Sequence, residues 1–237
     1  MYIHVVKIPL TMTHQSIEYY LKYVSAEKKT RIKKYYNIED AERAIIADLL
    51  TRFVLCTLIN CSNQELNTIL SAEPNGKPYL VDSEWKFNVS HSGNWVVLAV
   101  DVGSIGIDVE RMSPIDLDIA KRYFSSYEYS DLMSISPEYR IEHFFRLWTL
   151  KEAYIKADGR GLSIPLDSFG FCVRGNEIFF HSFSNTIPMS YFFKQYDLDL
   201  EYKLSVCATQ PKFPDRFILW DIDDLLYKVN HFLSPLD

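Results

Sequence analysis

Ile105-Gly106-Ile107-Asp108-Val109-Glu110 is the stretch on which the reading of this chain turns, and Trp148-Thr149-Leu150-Lys151-Glu152-Ala153-Tyr154-Ile155-Lys156 is its counterpart further along. Alternation in the first places Ile105, Ile107 and Val109 on one face of a strand and Gly106, Asp108 and Glu110 on the other. At about 3.3 Å per residue, side chains two apart stand roughly 7 Å apart along the strand, so both carboxylates can reach one hard cation. Without a cation they repel.

The second stretch reads as a helix, with Ser136 as N-cap, Pro137 at the first helical position and Gly159 just past the end. Ile141, Phe145, Trp148 and Ile155 recur with the helical period as a buried stripe, and Glu152 falls inside it. A carboxylate on an apolar face must be paired, protonated or bound to metal. Lys151 and Lys156 flank it, and the i,i+4 spacing of Glu152 and Lys156 fits an ordinary helix salt bridge as well as it fits a site.

Upstream, Tyr2 to Ile8 reads as a strand and Ser16 to Tyr23 as a helical stretch. Ser25 then caps a helix carrying Lys28, Lys29, Arg31, Lys33 and Lys34, either a solvated face or a surface for a polyanion. Asn37 caps a core helix with Ile45, Ile46, Leu49, Leu50, Phe53, Val54 and Leu58 on its apolar positions. Arg43 near its start either serves an anion at the helix N-terminus or pairs with Glu39. Pro74-Asn75-Gly76-Lys77-Pro78 is a turn, and Phe87 to Ser90 and Trp95 to Val100 are two strands joined around Ser92 and Gly93, with His91 at the joint.

Downstream, a helix is expected over Asp116 to Phe124, and Ser125-Ser126-Tyr127-Glu128 fits a capping box. Phe169 to Val173, Glu177 to Phe183, Met189 to Tyr196 and Tyr202 to Ala208 read as one antiparallel sheet, and a short apolar helix near Leu225 to Phe232 closes the tail. A net charge of −6 argues against a general nucleic-acid binder, and 48% apolar residues are ample for a core. The four cysteines, 56, 61, 172 and 207, make no Cys-x-x-Cys pair and read as reduced thiols. Met1 to Leu10 lacks the pattern of a signal peptide and no apolar run reaches membrane length, so a soluble, cytoplasmic protein is expected.

In combination, Gly106 to Glu110, then Trp148, Lys151, Glu152 and Lys156, resemble the 4'-phosphopantetheinyl transferases. The segment Phe87-Asn88-Val89-Ser90-His91-Ser92-Gly93 resembles the surfactin-synthetase-activator subgroup, which serves nonribosomal peptide and polyketide synthetases. The likeness runs from about Ser25 to Ala208. It implies an α+β fold, a pseudo-dimer of two similar halves, 1–104 and 105–237, each a small antiparallel sheet packed on a long helix, with the active site at their interface. It also implies a magnesium-dependent enzyme of antibiotic biosynthesis, working as a monomer, that moves 4'-phosphopantetheine from coenzyme A to a serine of apo peptidyl or acyl carrier proteins and releases 3',5'-ADP.

Carried onto this chain, the resemblance makes Asp108, Glu110 and Glu152 the magnesium ligands and Lys28, Arg31, Arg43, Lys77, Ser90, His91, Lys151 and Lys156 the coenzyme A contacts. Lys28 and Arg31 meet the 3'-phosphate, the Gly-Lys-Pro turn cradles adenine, and Lys156 stabilises the leaving group. Glu152 is the first choice for the base, Glu128 a minor one, and the segment from Arg111 to Phe124, with Lys121 and Arg122, is the docking surface for an acidic carrier. Two further readings stand beside this one. A non-catalytic binding module would be expected to lack one of the three acids, and a magnesium-dependent hydrolase of nucleotide diphosphates would release 3',5'-ADP without any carrier.

Overall fold

Two helices of 22 residues each carry the two halves. The computed structural model describes residues 1–74, 76–183 and 190–236, so Asn75 of the expected turn and Met189 of an expected strand lie outside the described residues. The first half runs β1 (Tyr2–Lys7), α1 (His14–Tyr20), α2 (Ala26–Ile32), α3 (Ile38–Ile59), α4 (Asn63–Ile69), β2 (Leu70–Ala72), β3 (Pro78–Leu80), β4 (Lys86–Ser92) and β5 (Trp95–Asp101). Ser25 caps α2 as expected, accepting the Lys28 amide, whereas Asn37 precedes α3 without a side-chain cap. Strand β5 lies between β1 and β4, antiparallel to both. Because side chains alternate across a strand, Val96, Leu98 and Val100 pack toward α3 while Val97 and Ala99 face the other way, into the cluster shared with the second half.

The second half runs β6 (Ile105–Arg111), α5 (Asp118–Tyr123), α6 (Ser126–Ser134), α7 (Pro137–Asp158), β7 (Phe169–Arg174), β8 (Glu177–Ser182), β9 (Phe192–Tyr196) and β10 (Tyr202–Ala208). Gly159 ends α7 in the left-handed region, at φ 91°, where glycine carries no steric cost. Strand β10 lies between β6 and β9, while β7 and β8 form a hairpin of their own, so the single sheet expected of these segments is in fact two. The reason is packing. Phe169, Phe171 and Phe180 of the hairpin close on Tyr154 of α7 and Phe193 of β9 instead of extending the ladder.

Ile105, Ile107 and Val109 meet Leu204, Val206, Val97 and Ala99 in the apolar layer between the sheets. The order of layers is therefore α3, first sheet, second sheet, α7, an α+β architecture of two halves facing each other. The tail departs from the expected division at 104/105. β11 (Ile218–Trp220) pairs in parallel with β1, and α8 (Ile222–Phe232) buries Leu225 and Val229 completely in the α3 cluster. Each such side chain is worth roughly 1.5–3 kcal/mol, which anchors the tail on the first half.

The β1–β11 seam carries a titratable group. Trp220 Nε1 donates to His4 Nδ1 at 3.0 Å, which requires a neutral ring, and burial pushes the His4 pKa down to about 4. An unfolded histidine takes its proton near 6.5 and the folded one only near 4, so the unfolded state binds more protons across that window and stability falls as pH falls through it. Thermal unfolding measured from pH 7 to 4 should therefore show a loss to which His4 contributes about 3 kcal/mol, and His4→Gln, which keeps an acceptor without the titration, should flatten that slope.

Candidate active site

Strands β4 and β6 run side by side without a backbone ladder, and side chains make the joint. Alternation on β4 sends Asn88, Ser90 and Ser92 to one side. Asn88 Oδ1 accepts the Ile107 amide at 2.9 Å, Ser90 Oγ donates to Asp108 Oδ1 at 2.9 Å, and Ser92 Oγ donates to Glu110 Oε2 at 2.9 Å while accepting the Arg111 amide at 3.0 Å. The first half thus holds both acids of the second.

Gly106 lets α7 come close on the acid face of β6. A Cβ there would lie 2.5 Å from the Ala157 amide nitrogen and press still harder on the Ala153 carbonyl, so any side chain would push the helix away. The approach brings Lys156 Nζ to 2.6 Å from Asp108 Oδ1, 3.1 Å from Ser90 Oγ and 3.3 Å from the Ile107 carbonyl. The ion pair of Lys156 is therefore with Asp108 across the fold, and the i,i+4 bridge to Glu152 that spacing allows is not formed.

Asp108 is 3% exposed, and its Oδ2 is buried without a hydrogen-bond partner among the described residues. Burial raises its pKa against the pull of Lys156 and Ser90. Glu110 is pushed up to about 7, by burial and then by the charge of Asp108, and Glu152 is raised by the same two causes against the pull of Lys156. Three carboxylates thus share one patch with one ammonium. Among the described residues no three acidic, histidine or cysteine donors already stand in ligating geometry. The donor set is nonetheless all oxygen, and a buried carboxylate oxygen with no partner beside two further acids is what a hard divalent cation relieves.

A wall of cations adjoins the acids. His91 points from the opposite face of β4, keeping solvent access on one side, and the protein around its ring, then Arg43, Lys156 and Lys28, push its pKa down to about 4. Lys28 Nζ stands 3.7 Å from Asp48, and Arg31 is exposed on α2. Arg43 donates to Asp40 Oδ1 at 2.6 Å and to the Gly93 carbonyl at 3.1 Å, and the alternative partner Glu39 is not used. Lys77 differs from the expectation of a phosphate contact. Its ammonium bonds the Lys156 carbonyl, with the carbonyls of Ile105 and Ala157 at 3.5 Å each, so it serves the end of α7, where helix carbonyls lack intrahelical partners. A cavity of about 240 Å³ lies here, lined by Gly76, Lys77, Pro78, Asn88, Ile155, Lys156, Gly159 and Gly161.

Lys151 and Glu128 are not brought to this site. They form a fully buried ion pair of 2.8 Å, and Lys151 also donates to the carbonyls of Leu166 and Phe169 at 2.8 Å. Glu128 closes the capping box with Ser125 and accepts the Phe171 amide at 2.9 Å. Lys151 as a coenzyme A contact and Glu128 as a base are corrected accordingly, since every ammonium proton is engaged and neither group reaches solvent. Sequence reasoning missed Asn88 and Ser92, although polar residues at every second position of a strand were the available signal.

The sequence model of the 4'-phosphopantetheinyl transferase superfamily matches residues 104–207, and that of the 4'-phosphopantetheinyl transferase N-terminal region matches 11–103. The 4'-phosphopantetheinyl transferase Sfp of Bacillus subtilis (strain 168) is 36% identical over 219 residues, covering 91% of this chain and 95% of its own. Another 4'-phosphopantetheinyl transferase of Bacillus subtilis is 40% identical over 207 residues, covering 86% and 90%. The 4'-phosphopantetheinyl transferase gsp of Aneurinibacillus migulanus is 35% identical over 203 residues, covering 86% and 84%.

Removing one partner of a buried ion pair leaves an uncompensated charge, at a cost of about 3–5 kcal/mol. Lys151→Met should therefore lower the denaturation midpoint sharply, and adding Glu128→Gln should recover much of the loss in the same chemical-denaturation measurement.

Proposed function

We infer the details of the reaction from a plain premise: this chain belongs to the 4'-phosphopantetheinyl transferases, enzymes that transfer phosphopantetheine to carrier proteins. The donor is coenzyme A and the acceptor the serine hydroxyl of an apo peptidyl or acyl carrier domain. That hydroxyl forms a bond to the phosphorus next to pantetheine, the P–O bond to 3',5'-ADP breaks, and the serine proton passes to a base. The observation that carries this reading is the cluster at the joint of the halves, where Ser90, Asp108 and Lys156 are mutually hydrogen-bonded beside Glu110 and Glu152.

Each residue then has a task. Lys28, Arg31, Arg43 and His91 face the 3'-phosphate, Ser90 and Lys156 the diphosphate, and the cavity at Gly76, Lys77 and Pro78 suits the adenine. Lys156, already held against Asp108 and Ser90, offsets the negative charge that develops on the departing 3',5'-ADP. Glu152, whose pKa is raised by burial and then by the charge of Asp108, accepts the serine proton. Asp108, Glu110 and Glu152 would hold magnesium, which when bound neutralises the diphosphate oxygens. Positioning and charge do most of the remaining work, as in other phosphoryl transfers.

The carrier docks along the segment after β6. Lys121 and Arg122 are exposed there, and a recess of about 310 Å³ lined by Met112, Ser113, Pro114, Ile115 and Ile141 offers apolar footing at the start of the same segment. Peptide and polyketide synthetases of antibiotic biosynthesis supply such carriers. No single helix among the described residues is long and apolar enough to cross a membrane. The pseudo-dimeric site draws on both halves of one chain, so a monomer suffices.

Intact-mass analysis of an apo peptidyl carrier protein with this protein, coenzyme A and magnesium tests the reading. The carrier should gain one phosphopantetheine arm, and the gain should vanish with EDTA and with Asp108→Ala or Glu152→Ala, a loss of at least about 100-fold in rate. Release of 3',5'-ADP without carrier would indicate the hydrolase, and bound coenzyme A with no gain on several carriers the binding module.

A further inference from the structure

The hairpin between β4 and β5 turns through two residues, Gly93 and Asn94, with Gly93 at φ 52°. Glycine at the first central position is the requirement of a tight hairpin turn of this hand. A second constraint comes from the other half. The phenol of Tyr202, on β10 and only 4% exposed, occupies the space that any side chain at position 93 would need, and the Arg111 side chain crowds it from the neighbouring strand. The Tyr202 hydroxyl accepts the Asn94 amide at 3.0 Å. From the first half, Arg43 donates to the Gly93 carbonyl at 3.1 Å, and Asn94 is bonded to Ile8 through its carbonyl at 2.8 Å and its side chain at 3.2 Å.

We propose that Tyr202 is a positioning residue for coenzyme A, clamping the Gly93–Asn94 turn from the second half so that Ser90, His91 and Arg43 stand in register with Lys156. This rests on the reading of those residues as phosphate contacts. The turn is tied on both walls, by a donor from the first half and an acceptor from the second. Arg43 fixes its carbonyl to α3, and Tyr202 fixes its next amide to β10, so the turn that ends the strand is held on two sides while the hydroxyls of Ser90 and Ser92 grip Asp108 and Glu110. Without the phenolic oxygen the Asn94 amide has lost its acceptor in a half-buried place, and the turn drifts away from the second half. The carbonyl that orients Arg43 moves with it.

Tyr202→Phe removes the oxygen and keeps the ring. With an apo carrier as acceptor, the KM for coenzyme A should rise about fivefold, a change equal to roughly 1 kcal/mol, while kcat and the KM for the carrier stay within about twofold. Calorimetric titration with coenzyme A, which needs no carrier and no turnover, should show the same weakening, and circular dichroism monitors the fold. His91→Ala is the reference variant. If it raises the coenzyme A KM and Tyr202→Phe does not, the clamp is refuted and the phosphate wall stands. If His91→Ala leaves the KM unchanged, the wall itself is wrongly read and the clamp falls with it. A fall in thermal stability with coenzyme A affinity intact would reduce Tyr202 to packing and overturn the proposal.

Discussion

A carboxylate that is 3% exposed and has one oxygen without a hydrogen-bond partner among the described residues sets the terms for the rest of this structure. Asp108 cannot sit there alone, because an isolated buried charge is too costly to keep. It is held by one ammonium from α7 and one hydroxyl from β4, so both halves of the chain supply its partners. That requirement explains why Gly106 must lack a side chain, since the ammonium arrives only if helix and strand touch. It also explains why the joint between β4 and β6 is made of side chains. A regular ladder would satisfy the backbone and leave the acids nothing to hold them.

The arrangement is poised and not merely stable. The charge of Asp108 adds to burial in raising Glu110 and Glu152, and burial, then the cations of the adjoining wall, push the pKa of His91 down. Acids gathered on one face of β4 and cations on the other suit the phosphates of the proposed coenzyme A and the proposed magnesium. The same crowding makes the site dependent on the exact placement of a two-residue turn.

Much of this is legible in the sequence alone. Alternation along Ile105 to Glu110 put Asp108 and Glu110 on one face, and α7 does lie on that face; Gly159 does end the helix that its position announced. What failed did so for physical reasons. On α7 the residues Phe144, Leu147, Leu150 and Tyr154 are buried along with Phe145 and Ile155, so a single stripe does not exist, and periodicity could not tell that Lys151 is wholly buried while Glu152 is only partly so. The partner of Lys151 is Glu128 on another helix, a pairing that no local spacing encodes. Ser92 and Asn88 were quoted within a motif, yet their partners lie across the joint in the other half. The role of Lys77 depends on which carbonyls end beside it, and those belong to a helix far along the chain.

The return of the tail to β1 has a consequence for the order in which this molecule is made. A chain emerging from the ribosome presents the first half first, but β1 gains its outer neighbour and α3 its last apolar cover only when β11 and α8 appear. Residues 105–208 meet no such delay, for their sheet and helix are contiguous. The half synthesised second is thus complete before the half synthesised first, and during that interval the flank of β1 is an open strand edge of the kind that chaperones guard.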